Sequence, residues 1–144
     1  MHSPHVFPMK ITLSTITPDE ALYSTVGDWR FNGDNLNITT ASHLPSKHYE
    51  RLILLHELVE AMICDARGIP EQAVTDFDIQ HPELAEPGDS LEAPYNNAHF
   101  TAMSVERMVA SAMGVSWHQH DLWIAECSDA VDAALDKREV VSPA

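Results

Sequence analysis

Residues 46–66 read Ser-Lys-His-Tyr-Glu-Arg-Leu-Ile-Leu-Leu-His-Glu-Leu-Val-Glu-Ala-Met-Ile-Cys-Asp-Ala. Leu52, Leu55, Val59, Met62, Ile63 and Ala66 recur at the period of an amphipathic helix. Ser46 is a residue type that favours a helix start, and Gly68 followed by Pro70 marks the end. The pattern upstream is different. Residues 10–17 (KITLSTIT) alternate apolar and hydroxyl side chains, as a half-buried strand does. Residues 28–31 and 36–40 flank Asn32-Gly33-Asp34-Asn35, where Asn32 and Gly33 tolerate positive φ, and so predict a hairpin. The change of period at Ser46 therefore divides a small N-terminal antiparallel sheet from a helical remainder.

Downstream, residues 71–94 form an acidic segment broken by Pro82, Pro87, Gly88 and Pro94. Residues 71–77 suit a short helix and the rest a loop, of a length that in a small domain is usually functional or mobile. A second long helix is expected over 96–113, stopped by Gly114, and a third over 116–137, with Ser116 and Gln119 in capping-box positions. The expected fold class is α+β: the sheet packed on about three helices in a single domain over 10–144, with residues 1–9 a flexible leader.

Eight Lys and Arg stand against 22 Asp and Glu, a net charge of −14, and no basic stripe occurs. Nucleic acid is therefore not an expected partner, since phosphate contacts need clustered cations. The longest unbroken aliphatic run, Leu52 to Leu55, is far short of the roughly 20 residues that span a membrane, and residues 1–10 lack the apolar core of a signal peptide. The expected location is the cytoplasm, with Cys64 and Cys127 as buried reduced thiols.

The chemistry centres on His56-Glu57-Leu58-Val59-Glu60. Positions four apart on a helix differ by only about 40° around the axis, so His56 and Glu60 project side by side and can share a divalent ion. Glu57, rotated by about 100° from His56, can touch a metal-bound water without ligating the metal. The strongly apolar residues before His56 place it on a buried helix, where such polar groups need partners. His99 and Glu106, seven residues apart, lie on one stripe of the second long helix and can face the first across a site. Asp76 with Asp78 is a weaker cation candidate. His118 and His120, two apart, point to different sides of a helix and do not suggest joint ligation.

Strands leading into an apolar-x-x-His-Glu-x-x-(ligand) helix resemble the zincin metallopeptidases. The closer likeness is to the small cytoplasmic ImmA/IrrE-like domains of bacteria and phages, and to short phage and prophage proteins with a His-Glu-Leu-Val-Glu-Ala helix. The resemblance covers residues 28–66, from Asn37-Ile38-Thr39-Thr40 through the loop to Arg51 and His56-Glu57-Leu58. It implies a zinc ion, or another divalent metal, held by His56 and by Glu60 in place of the family's second histidine. It implies Glu57 as general base, and a third ligand from the second helix, His99 first and Glu106 in reserve as ligand or supporting carboxylate. A metal-dependent hydrolase of peptide or protein follows. Two alternatives stand beside it: a non-catalytic phage-type binding protein with a structural metal, and a MazG-like magnesium-dependent nucleotide pyrophosphohydrolase reading Glu57 and Glu60 as its Glu-x-x-Glu.

Overall fold

The structure, a computed structural model, describes residues 9–141. The expected leader therefore lies outside the described residues, apart from Met9. Three strands, β1 (Ile11–Ile16), β2 (Gly27–Asn32) and β3 (Asn35–Ala41), are followed by α1 (Lys47–Ala66), α2 (Glu71–Gln80), α3 (Asn96–Met113) and α4 (Trp117–Val141). The class is α+β, as the change of period at Ser46 implies; the three long helices form, and the short helix after Pro70 is a fourth that extends to Gln80.

The hairpin forms: β2 and β3 pair antiparallel with Asn32 opposite Asn35, which leaves Gly33 and Asp34 as the two-residue turn. The sheet as a whole is mixed, not antiparallel. Its order is β1-β3-β2, and β1 lies parallel to β3 with Ile11 beside Leu36 and Leu13 beside Ile38. Alternation fixes which side chains share a face but not which strand is a neighbour or which way it runs. Here residues 17–26, including a 3-10 turn at Pro18–Glu20, carry the chain across to the far edge, where β2 forms, so that β3 returns between β2 and β1.

One face of the sheet covers α1. Leu36 and Ile38 on β3 and Trp29 on β2 meet Leu54, Ala61 and Cys64 of α1, with Val74 of α2 and Ala98 of α3 completing the cluster. Ser46 takes an extended conformation before α1 without a side-chain cap. The Glu50 carboxylate reaches back instead, accepting the Ser46 backbone N–H at 3.2 Å and the Ser42 hydroxyl at 2.6 Å. The most extensive helix pairing is α1 with α3. Ala98, Ala102 and Ala110 are the buried small residues of α3, and Glu106 sits among them at the same four-residue spacing. Small side chains let the two helices approach closely, which brings the polar groups between them within bonding distance. Gly114, with φ of 73°, closes α3 in the left-handed conformation that other residues resist. Ser116 then starts α4, its hydroxyl accepting the Gln119 backbone N–H at 3.2 Å, and α4 runs four residues past the expected end. Among the described residues no helix is long and apolar enough to cross a membrane.

Ile38 is fully buried at the centre of the sheet. Ile38→Ala should lower unfolding free energy by about 2–5 kcal/mol, read as a shifted denaturant midpoint at unchanged slope.

Candidate metal centre

Helix α1 delivers His56, Glu57 and Glu60 to the seam with α3, and α3 delivers His99 and Glu106. All five are buried. His56, Glu60 and His99 each turn a ligand-type atom to one point, with these atoms within 4.8 Å of one another. Glu60 Oε2 stands 3.4 Å from His56 Nε2 and 3.4 Å from His99 Nδ1. That is long for an N–H···O hydrogen bond, and it matches the donor spacing of a tetrahedral site: two bonds of about 2.0–2.1 Å at the tetrahedral angle set donors about 3.4 Å apart. A divalent ion therefore fits these three residues.

The remaining polar atoms of the triad are tied down by neighbours. His56 Nδ1 meets Glu106 Oε1 at 2.8 Å, which leaves Nε2 to face the triad. The Trp29 indole N–H donates to Glu60 Oε1 at 3.1 Å, leaving Oε2 free to turn inward. His99 Nε2 meets Asp89 Oδ1 at 3.0 Å, leaving Nδ1. Partners of this kind set the tautomer and orientation of metal ligands. Glu106, the reserve ligand of the sequence reading, lies outside the converging group. Its Oε1 is taken by His56 and its Oε2 by His120 Nε2 at 2.6 Å, so it stands behind His56 with both oxygens engaged.

Glu57 lies next to this group. Its Oε2 is 3.9 Å from His56 Nε2, beside the triad and not in it. Two glycines make the room. A Cβ on Gly27 of β2 would lie 2.7 Å from Glu57 Cγ, and a Cβ on Gly88 would lie 2.5 Å from His99 Cγ. His56, Glu57, Glu60 and His99 all line one cleft of about 1570 Å³, whose far wall is α4. The acidic segment before α3 contributes Glu86, Gly88 and Asp89 to the same cleft, so the long loop is part of the site.

Charge is unevenly held. Burial opposes ionisation of His56, but its contacts with Glu106 and Glu60 outweigh that and raise its pKa well above 6.5. Burial likewise works against Glu60, yet His56, His99 and the Trp29 indole hold its carboxyl down to about 2. Burial pushes Glu57 well above 4.5, and the adjacent Glu60 charge adds to it. Burial lifts Asp78, which lines the same cleft, to about 6 against the lowering effect of hydrogen bonds from Tyr95 and Tyr23.

The weaker candidates separate. Asp76 accepts from Gln72 Nε2 at 2.7 Å while Asp78 accepts from both tyrosines, so the two carboxylates serve different partners. His118 is exposed and His120 fully buried, in keeping with their opposed directions. His81, without an evident partner in the sequence, meets Glu83 at 3.0 Å. Cys64 and Cys127 are free and buried, as expected. The sequence reading missed Trp29, Asp89 and His120. Only His120 had a usable signal, three residues after Trp117 and three before Trp123, which puts it on their helical stripe. No family model, curated protein or solved structure matches the chain.

Two outcomes follow from the geometry. Gly88→Ala should displace the buried His99 ring from Glu60 and Asp89, weakening metal binding and lowering the unfolding midpoint of the metal-free protein as well; a competition titration with a chromophoric chelator measures the first and denaturant unfolding the second. Metal binding must also expel protons. His56 and His99 both have raised values, so affinity should still be climbing as pH rises above 6.5, and calorimetry in buffers of different ionisation enthalpy should show proton release.

Proposed function

We propose that the chain is a zinc-dependent hydrolase of the zincin kind, acting on peptide or protein. The observation that carries this reading is the triad of His56, Glu60 and His99 with Glu57 beside it at the wall of an open cleft. Two imidazoles and one carboxylate form a donor set that zinc favours, and a catalytic zinc keeps one position open for water or substrate. Zinc bound there would polarise a carbonyl and acidify water.

The chain's own residues divide the remaining work. Glu57 accepts a proton from the attacking water and returns it to the leaving nitrogen. Its burial, which raises its proton affinity, suits a group that must hold a proton near neutrality. Trp29, Asp89 and Glu106 keep the ligand atoms aimed. Glu60, standing where the resembled family has histidine, makes the centre more negative and its metal affinity more dependent on pH. The strands at Ile11–Ile16, Gly27–Asn32 and Asn35–Ala41 favour this reading over the all-helical nucleotide pyrophosphohydrolase, as do two histidines in a cluster that hard magnesium would fill with oxygens.

Elemental analysis of the purified chain should find one zinc per molecule, and His56→Ala should abolish it. Retention of full occupancy in that variant would place the site elsewhere. Glu57→Gln should keep the metal and the fold while turnover of a peptide library drops by about 100-fold or more. Loss of metal in Glu57→Gln would make Glu57 a ligand. Unchanged biological activity in a variant that keeps its metal would make the protein a metal-stapled binder.

A further inference from the structure

His120 is completely enclosed, with no exposed surface. Its Nε2 meets Glu106 Oε2 at 2.6 Å, and its Nδ1 has no hydrogen-bond partner. A buried polar nitrogen left unpaired is costly, and an aliphatic residue would fill the same space without that cost. The bond through Nε2 is what distinguishes histidine here.

The surroundings fix that bond. Tyr49 from α1 and Trp117 from α4 lie with ring centroids 5.3 Å from the imidazole, and Trp123 stacks near-parallel at 6.4 Å. The His120 backbone N–H is held by Ser116 O at 3.0 Å in the capped first turn of α4. Three aromatic rings thereby crowd the imidazole and restrict its rotation, and Nε2 is held toward Glu106.

We infer that His120 is a positioning residue: through Glu106 it fixes the tautomer and aim of His56, so that α4, which supplies no ligand, governs how tightly α1 and α3 hold the metal. The chain of contacts is His120 Nε2 to Glu106 Oε2, then Glu106 Oε1 to His56 Nδ1, then His56 Nε2 to the triad. With one oxygen released, the buried Glu106 carboxylate would turn to satisfy itself elsewhere, and His56 would lose the acceptor that keeps its proton on Nδ1. Histidine at 120 with its proton on Nε2 is the partner this needs.

The inference rests on the metal reading, so zinc uptake by the unaltered chain is measured first; no uptake overturns that reading. With uptake established, His120→Leu should bind zinc about 10–100-fold more weakly while keeping its circular dichroism. The visible bands of the cobalt-loaded protein should shift with the ligand geometry, which a merely structural loss would not produce. His120→Gln, whose amide can donate from the place of Nε2, should restore both readouts. In a Glu106→Ala background, His120→Leu should cost nothing further, because its route to His56 is already cut. Undiminished zinc affinity in His120→Leu, or an equal loss in both backgrounds, would overturn the inference. Where the leucine variant does not fold, nitrogen NMR of the unaltered zinc-loaded protein decides: the ring proton must sit on Nε2 in His120 and on Nδ1 in His56, and any other pairing overturns it.

Discussion

A carboxylate taken out of water between packed helices must be answered by opposite charge or by hydrogen-bond donors, and the seam between α1 and α3 holds three of them, Glu57, Glu60 and Glu106. Much of the interior is arranged around that requirement. Glu106 is met at both oxygens by histidines, one from α1 and one from α4. Glu60 is met by an indole N–H from the sheet on one oxygen and faces two imidazoles with the other. The strand, the two long helices and the start of the last helix are therefore held in register by polar contacts as well as by apolar packing. Losing one partner from such a set is costly because it strands a charge, whereas the set as a whole adds little to stability over an apolar core.

Much of the fold could be read from spacing. The hairpin showed in the Asn-Gly-Asp-Asn stretch, α1 in the apolar positions from Leu52 onward, and the end of α3 in Gly114. These features are local: each is decided by side chains within a few residues of one another. The parallel placement of β1 was not legible, because KITLSTIT has the same alternation whichever strand it joins. The extension of α2 through Gln80 was hidden by its acidic composition, which suits a loop or a solvated helix equally well.

The site divides along the same line. His56, Glu57 and Glu60 were legible because one helix turn sets their geometry, and His99 with Glu106 because a second helix sets theirs. The separation of the last two, one in the converging group and one behind His56, depends on how α3 is rotated against α1, and that is a property of the packed pair. Trp29, Asp89 and His120 come from a strand, a loop and another helix. No interval along the chain announces their meeting. The space that Gly27 leaves for Glu57 and Gly88 for His99 is likewise visible only once distant segments touch.

The three tryptophans of the chain all border this polar interior. Trp29 donates to Glu60, Trp117 abuts His120 and Trp123 stacks on it. The intrinsic ultraviolet emission of the protein is therefore in effect an optical report on the centre, collected at its two ends. One indole looks at the carboxylate that faces both imidazoles of the triad, and two look at the histidine behind the supporting one. An event that rearranges those charges is placed to change the colour or yield of the emitted light without any label being attached.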